Sequence, residues 1–249
     1  MRRHPSVLAI TAAAAVAGSA VVMWGPSALS APSSPPSACG TTYAPVLDPA
    51  NFVPVVDNPY FPLPVGRKLV YRGVKDGQSQ TDVVTVTAQT KVILGVTTTV
   101  VLDKATHSST VLEETSDYYA QDKQGNVWYL GEDTTQFLAN GRADTSGSFI
   151  AGVDGAQPGI IMKAQPRIPD AYRQECYAGE AEDTAWVVAT GGSTRVPYGN
   201  VRNTLSTLEA TQLEPGAYDE KVYGLGIGIV TEKSLAGPNE FAELVSVSG

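Results

Sequence analysis

The chain of 249 residues has 25 acidic and 17 basic side chains, a formal net charge of −8 at pH 7. Arg2 and Arg3 belong to the N-terminal segment, and the rest of the chain has 15 basic against 25 acidic residues, a balance of −10. Nucleic acids and anionic membranes bind clustered Lys and Arg, so the composition argues against either as the main partner.

Residues 1–30 have the pattern of a signal peptide. Two arginines precede an apolar, alanine-rich run, and Ala28-Leu29-Ser30 provides small residues before a cleavage site at Ala31. An uncleaved membrane anchor is the alternative, but Ala, Gly, Ser and Thr make this run weakly hydrophobic. No later segment is long and apolar enough to span a bilayer. We therefore expect a secreted protein or one of the extracytoplasmic cell envelope.

Residues 31–56 are predicted to be a Pro/Ser-rich linker and an N-terminal arm. Residues 31–38 consist of Ala, Pro and Ser, a composition typical of extended, flexible linkers. Prolines recur through residues 40–66, which should wrap around the domain, since proline is excluded from central strands.

Cys39 and Cys176 are the two cysteines of the chain. In an oxidising compartment they predict one disulfide that joins the N-terminal arm to the domain. The alternative is a lipid-anchored Cys39, because Ser37 and Ala38 precede it as in a lipobox, although Pro36 stands where leucine is usual.

Residues 57–249 are predicted to form a single β-rich domain. Thr81–Ala88 and Val96–Leu102 are rich in β-branched residues, which favour strands. Turn dipeptides such as Asp76-Gly77 and Asn140-Gly141 recur at short intervals, and no long amphipathic helix pattern is present. The fold class is mainly β, an antiparallel meander curled into a sandwich, half-barrel or barrel.

Residues 120–133, AQDKQGNVWYLGED, combine acids, a glycine and two aromatics. A calcium loop that begins at Asp122 would place Val127 where glycine is required and Asp133 where glutamate is required. The flanking segments are strand-like. We therefore predict a β-hairpin that joins residues 117–122 to 126–131. We expect no cofactor; calcium stays the alternative, although no loop motif supports it.

Several strings resemble the pattern of a family of exported, β-rich bacterial proteins to which no activity is assigned. They are residues 58–63 (NPYFPL) with Gly66 and Tyr71, residues 120–133, residues 152–156 with Pro158-Gly159, residues 172–175, and residues 181–183. The likeness covers roughly residues 57–233 and implies kinship without a chemistry. Cys176 stands at a position that is usually aromatic in this family, so the resemblance makes the disulfide particular to this chain or its near relatives.

The usual catalytic and metal constellations are poorly supported. Outside the signal peptide the chain has one histidine, His107, in a polar, loop-like run, and no Gly-x-Ser-x-Gly elbow is present. One histidine and two cysteines do not make the usual zinc ligand sets. No catalytic residue is identified, and the sequence does not decide whether the protein is an enzyme.

Alternating glycines occupy positions 224, 226 and 228, followed by Ile229 and Val230. A dinucleotide-binding loop would need a further glycine at position 229 and a helix after it. We therefore interpret the run as a strand whose glycines clear one face of a curved sheet.

Acids and aromatics supply the candidate ligand-binding residues, which are Tyr119, Trp128, Glu175 and Glu182. Inward-facing acids could act as acid and base on a glycan, and aromatic rings could stack on a sugar. The alternative interpretation is a solvated acidic face and aromatics that fill a β core.

The sequence leaves three functions open. The first is a non-catalytic binder of a small or apolar ligand on a curved sheet. The second is a carboxylate-dependent glycan hydrolase or lyase. The third is an envelope protein-interaction module. The partner is thus expected to be a small-molecule, lipid or glycan ligand, or another envelope protein, and the sequence does not define an oligomeric state.

Overall fold

The computed structural model describes residues 43–75, 77–237 and 239–249. The signal peptide, the Pro/Ser linker and Cys39 lie outside these ranges. The described residues form a 3-10 turn, Pro49–Asn51, and the following strands: β1 Phe52–Val53, β2 Asp57–Asn58, β3 Phe61–Pro62, β4 Lys68–Lys75, β5 Gln78–Ile93, β6 Val96–His107, β7 Thr110–Asp122, β8 Val127–Phe137, β9 Ala143–Asp144, β10 Phe149–Ile150, β11 Gln157–Met162, β12 Ala171–Arg173, β13 Glu175–Cys176, β14 Asp183–Val196, β15 Gly199–Thr211, β16 Tyr218–Gly224, β17 Gly228–Ala236 and β18 Phe241–Ser248.

One large antiparallel sheet contains almost all of these strands. Its order is β12-β14-β15-β16-β17-β18-β4-β5-β6-β7-β8-β11-β13, while β1, β9 and β10 pair with its members and β2 pairs with β3 separately. Most neighbours in the sheet are also neighbours along the chain, as expected for a meander. The predicted fold class, mainly β and antiparallel, is confirmed.

The two edges of this sheet meet in a single short segment. β12 pairs with β14, and β13, which follows after Gln174, pairs with β11. The Gln174 amide also donates to the Asp183 carbonyl at 2.9 Å. Consecutive residues therefore bond to opposite edges, and the sheet curls into a nearly closed, barrel-like form.

Alternate side chains of the strands point into the curled sheet and fill its interior. In β5, Val84 and Val86 are buried while their neighbours are partly exposed, which is the period of two that a strand with one buried face shows. These valines belong to a large apolar cluster that also includes Leu69, Tyr71 and Leu244. The core thus lies inside the curled sheet.

A second, smaller apolar cluster lies on the outer face of β6–β8. Tyr118, Val100 and Leu130 form its centre, and Leu47 and Phe52 from the N-terminal arm pack against it. β1 pairs with the end of β7, so the proline-rich arm runs along the outside of the sheet.

The predicted hairpin between β7 and β8 is confirmed. Tyr119 pairs with Tyr129 and Gln121 with Val127, and a register shift falls between Tyr118 and Tyr119. On β8 the shift is accommodated at Gly131, whose φ of 151° belongs to the region that favours glycine.

The interpretation of the alternating glycines as one continuous strand is wrong. β16 ends at Gly224, β17 begins at Gly228, and the residues between them form a hairpin turn. Gly226 has a φ of 76°, which residues with a side chain rarely adopt. The glycines therefore provide a tight turn.

Cys176 lies in β13 and is buried. Since Cys39 is outside the described residues, the disulfide between them stays a prediction.

Because the sheet closes tightly, we expect that adding one methyl group at the closing segment strongly reduces stability. A Cβ on Gly159 of β11 would overlap the backbone carbonyl of Gln174, so we expect Gly159→Ala to force the closing segment away and to destabilise the protein by more than about 2 kcal/mol. Chemical denaturation measures this loss.

Gly192→Ala in β14 is the matched control. Its Cβ would meet the Thr204 hydroxyl oxygen at 2.9 Å, with no backbone atom within 4 Å, and that side chain is able to rotate. Equal losses of stability for both variants would contradict the closure described above.

Candidate functional site

A small apolar pocket lies at one end of the barrel-like sheet, between β4–β7 and the hairpin that joins β16 to β17. Its volume is about 30 Å³, which is room for about two water molecules. The lining residues are Phe61, Pro62, Leu63, Leu69, Tyr71, Val84, Val101, Asp117, Tyr119, Ile227, Gly228 and Ile229. Such a wall, apolar with a few polar atoms, is typical of small-molecule sites.

Two segments cover this pocket, residues 56–64 with β2 and β3, and the hairpin turn at residues 225–227. Gly226 N donates to the Pro59 carbonyl at 2.7 Å. Arg67 Nη1 donates to the Gly226 carbonyl at 3.1 Å. The turn is thereby attached to the covering segment and to the start of β4.

The inner end of the pocket contains Asp117 and Tyr119. The Tyr119 ring lies 4.9 Å from the Tyr129 ring, nearly parallel to it, and 5.0 Å from Phe61. Its hydroxyl is buried and has no hydrogen-bond partner among the described residues. Tyr129 Oη donates to Asp117 Oδ1 at 2.7 Å. One phenol is therefore committed to the carboxyl group, and the other is available to a ligand.

Both of these groups are neutral near pH 7. Burial, with the Asp103 carboxyl as the next cause, raises the pKa of Asp117 to about 8, although the hydrogen bond from Tyr129 acts in the opposite direction. Burial also raises the pKa of Tyr119 well above its ordinary value, with Asp117 adding to the effect. The inner end of the pocket therefore presents two O–H groups.

Acidic side chains are unusually frequent in the rest of the interior. Asp117 lies directly opposite Glu132 across β7 and β8, a pairing in which like charges destabilise a sheet. The buried acids that accompany them on the strands are Asp82, Asp103, Glu113, Glu175, Asp183, Glu209 and Glu232. A solvated acidic face is therefore the wrong interpretation for these positions.

Proximity and burial keep several of these acids protonated. Burial raises the pKa of Asp82 well above its ordinary value, and the Asp103 carboxyl raises it further. Burial raises the pKa of Glu132 in the same way, with Glu175 as the next cause. Burial also raises the pKa of Glu175, with Asp183 as the next cause. The interior is thus a set of carboxyl groups that bind protons more tightly when the chain is folded.

Lys221 is a fully buried cation in this interior. Its Nζ lies 2.8 Å from Glu209 Oε2 and 3.9 Å from Glu232 Oε1. Burial lowers its pKa, but the attraction of Glu209 and Glu232 outweighs burial, so the pKa rises above its ordinary value. Lys221 therefore compensates part of the negative charge on β15–β17.

The structure separates the four residues predicted to face a ligand. Tyr119 lines the apolar pocket. Glu175 is fully buried, and neither of its carboxyl oxygens has a hydrogen-bond partner among the described residues. Trp128 packs against the outer cluster and its Nε1 donates to Asp122 Oδ2 at 2.9 Å. Glu182 Oε1 accepts from Gly179 N at 2.8 Å and so fixes a turn.

Sequence reasoning missed Asp117 and Tyr71 as site residues. Tyr71 lines the pocket, and its hydroxyl donates to the Ile229 carbonyl at 2.9 Å. Asp117 and Tyr119 are two residues apart, the spacing that places both on one face of a strand. That spacing indicates that Asp117 and Tyr119 share one face of β7, but it does not show which face of the strand lies inside.

Within residues 43–75, 77–237 and 239–249, no group of three or more His, Cys, Asp or Glu side chains is arranged to hold a metal ion. The same ranges contain no helix with the length and hydropathy of a membrane-spanning segment.

No protein-family model and no curated protein sequence matches the chain. Among solved structures, a "putative exported protein with YmcC-like fold" from Bacteroides fragilis matches with 14% identity and a TM-score of 0.45, over 76% of this chain and 99% of that one. A "putative lipoprotein" from Parabacteroides distasonis matches with 12% identity and a TM-score of 0.41, over 76% of this chain and 98% of that one. Identities this low transfer no residue role.

The interior acids predict that stability falls as pH rises. The pKa values of Asp82, Asp117, Glu132 and Glu175 are raised by folding, so the folded state binds more protons than the unfolded state at neutral pH. Their favourable contribution is complete below the unfolded pKa of about 4 and is lost as pH rises through the folded values. For Asp117 that folded value is about 8.

We therefore expect the free energy of unfolding to decrease between pH 5 and pH 9, by up to about 1.4 kcal/mol per pH unit for each group that titrates. Guanidinium titrations at several pH values measure this slope, and Asp117→Asn should reduce it near pH 7. A free energy of unfolding that stays constant or rises over this range would contradict the account.

Proposed function

We propose that the chain is an exported binding protein that holds a small, mostly apolar molecule in the pocket beneath residues 56–64. The observation that carries this proposal is an apolar pocket with two buried O–H groups, those of Asp117 and Tyr119, at its inner end. Export is supported by the signal-peptide pattern of residues 1–30.

The two O–H groups define the ligand chemistry. At neutral pH the Tyr119 phenol donates a hydrogen bond, and a protonated Asp117 carboxyl donates another. An uncharged acceptor such as a ketone, ester or amide carbonyl complements them. An ionised carboxylate on the ligand would lie close to the acidic interior and is disfavoured.

Entry to the pocket requires the covering segments to move. The volume of about 30 Å³ is smaller than a ligand of several carbon atoms. The cover is attached by hydrogen bonds of Gly226 and Arg67 and, at β2, by those that join Asp57 and Asn58 to Gln121. Val55 and Val65, which flank residues 56–64, and Leu225 of the hairpin turn are exposed by 56%, 66% and 48%. These exposed apolar side chains provide a surface on which an apolar ligand first binds.

The pocket favours binding over carboxylate-dependent glycan cleavage. Glycan cleavage of that type needs two carboxyl groups that flank one bond in an accessible cleft. Among the described residues that line this pocket, Asp117 is the only acid, and the others are apolar apart from the tyrosine hydroxyls.

A displacement assay tests the proposal. The neutral dye 1-N-phenylnaphthylamine should bind the purified protein and be displaced by 2-octanone at a concentration several-fold lower than by 1-octene. One or two hydrogen bonds to the ketone, each worth about 1 kcal/mol, account for this difference.

Tyr119→Phe should reduce the preference for the ketone without unfolding the protein, because the hydroxyl that is removed has no partner among the described residues. Tyr172→Phe is the matched control, since Tyr172 also has a buried, unpartnered hydroxyl but does not line the pocket. Failure of the dye to bind, or an equal effect of both variants, would contradict the proposal.

A further inference from the structure

We propose a second binding site, at the opposite end of β4–β8, that takes a small organic ammonium ion. A cavity of about 200 Å³ is present there, several times the volume of the apolar pocket. Its lining residues are Lys75, Gln78, Gln80, Ala105, Leu112, Glu113, Gln136, Phe137, Leu138 and Ala139. The two cavities share no lining residue, so the second site is independent of the function proposed above.

Glu113 is the acidic group that lines the second site. It is almost fully buried, and Gln136 Nε2 donates to its Oε2 at 3.2 Å. Lys75 Nζ lies 3.9 Å from the same oxygen, well beyond the ~2.8 Å of a direct charge-assisted hydrogen bond. The cavity wall therefore already holds a primary ammonium group near Glu113.

Gln80 provides independent evidence for a ligand. Its side chain is 5% exposed and lines the cavity, yet neither its amide nitrogen nor its amide oxygen has a hydrogen-bond partner among the described residues. A buried amide without partners costs about 1–3 kcal/mol. A bound ammonium group would donate to the amide oxygen and remove part of this cost.

The surrounding charges favour a cation over an anion or a neutral molecule. Glu113 on β7 and Asp82 on β5 both pair with Ala105 of β6, so the two acids flank this residue on neighbouring strands. Asp103 follows two residues away on the same strand and is also buried. Lys75 is the positive group that lines the cavity. A ligand cation beside Glu113 would favour the ionised form of these carboxyl groups.

The other wall of the cavity is apolar. Leu112, Phe137 and Leu138 line it, and Phe137 and Leu138 are exposed by 44% and 37%. A ligand with one ammonium group and a short hydrocarbon or aromatic body matches both walls. Phenethylammonium is a probe of this kind, and 2-phenylethanol is its neutral analogue.

Isothermal titration calorimetry of the purified protein at low ionic strength tests the proposal. Phenethylammonium should bind at least tenfold more tightly than 2-phenylethanol. Glu113→Gln, which keeps the shape of the side chain, should weaken phenethylammonium binding tenfold or more. Lys75→Gln should strengthen it several-fold, because it removes the cation that competes for Glu113.

Glu114→Gln is the matched control. Glu114 is the next residue along β7, but it is half exposed and pairs with Lys104 at 2.6 Å, so its loss should leave binding unchanged. Equal affinity for the amine and the alcohol, equal effects at positions 113 and 114, or weaker amine binding after Lys75→Gln would each overturn the proposal.

Discussion

Closure of the sheet at Gln174 is the constraint on which the rest of the structure depends. Residues on either side of Gln174 bond to β14 and to β11, so the inward side chains of every long strand share one interior. An open sheet of the same strands would leave that face in water. The Glu and Asp side chains of β5–β8 would then be ordinary solvated carboxylates, and Gly159 would tolerate a side chain.

Because the interior is shut off from bulk water, its carboxyl groups are costly in their ionised form. The fold limits the cost in two ways. Lys221 compensates Glu209 and Glu232 on one side, and bound protons neutralise Asp82, Asp117 and Glu132 on the other. An apolar core would be more stable. Buried polar groups that weaken a fold often belong to functional sites, and here Asp82 and Asp103 lie along β5 and β6 between the residues that line the two cavities.

The sequence was sufficient to predict the class of fold and its best hairpin. Both depend on local chemistry, namely β-branched runs, turn dipeptides and the aromatic pair of Tyr119 and Tyr129. The run from Gly224 to Gly228 was interpreted wrongly because alternating glycines occur both in strands and in turns. The positive φ of Gly226 distinguishes the two, and φ is not visible in a sequence.

The interior residues could not be identified from the sequence. Side chains of a strand alternate between its two faces, and the alternation alone does not show which face lies inside. Acids at alternate positions read equally well as a solvated face or a buried one. The choice for Asp117 and Glu132 is made by closure, which joins residues far apart along the chain. For the same reason the sequence analysis grouped Trp128 with Tyr119 as ligand-binding candidates, although Trp128 packs on the outer face and Tyr119 lies inside. Glu182 accepts the Gly179 amide in a turn, a contact that the sequence pattern does not reveal.

The central claim is that a closed interior holds protonated carboxyl groups at neutral pH. The most direct test is ¹³C NMR of the Asp and Glu side-chain carboxyl carbons as a function of pH, with Asp117→Asn to assign one resonance. We expect Asp117 to titrate with a midpoint near pH 8 and several other carboxyls to stay protonated at pH 7. Titration of every carboxyl group between about pH 3 and pH 5, as in an unfolded chain, would contradict this account.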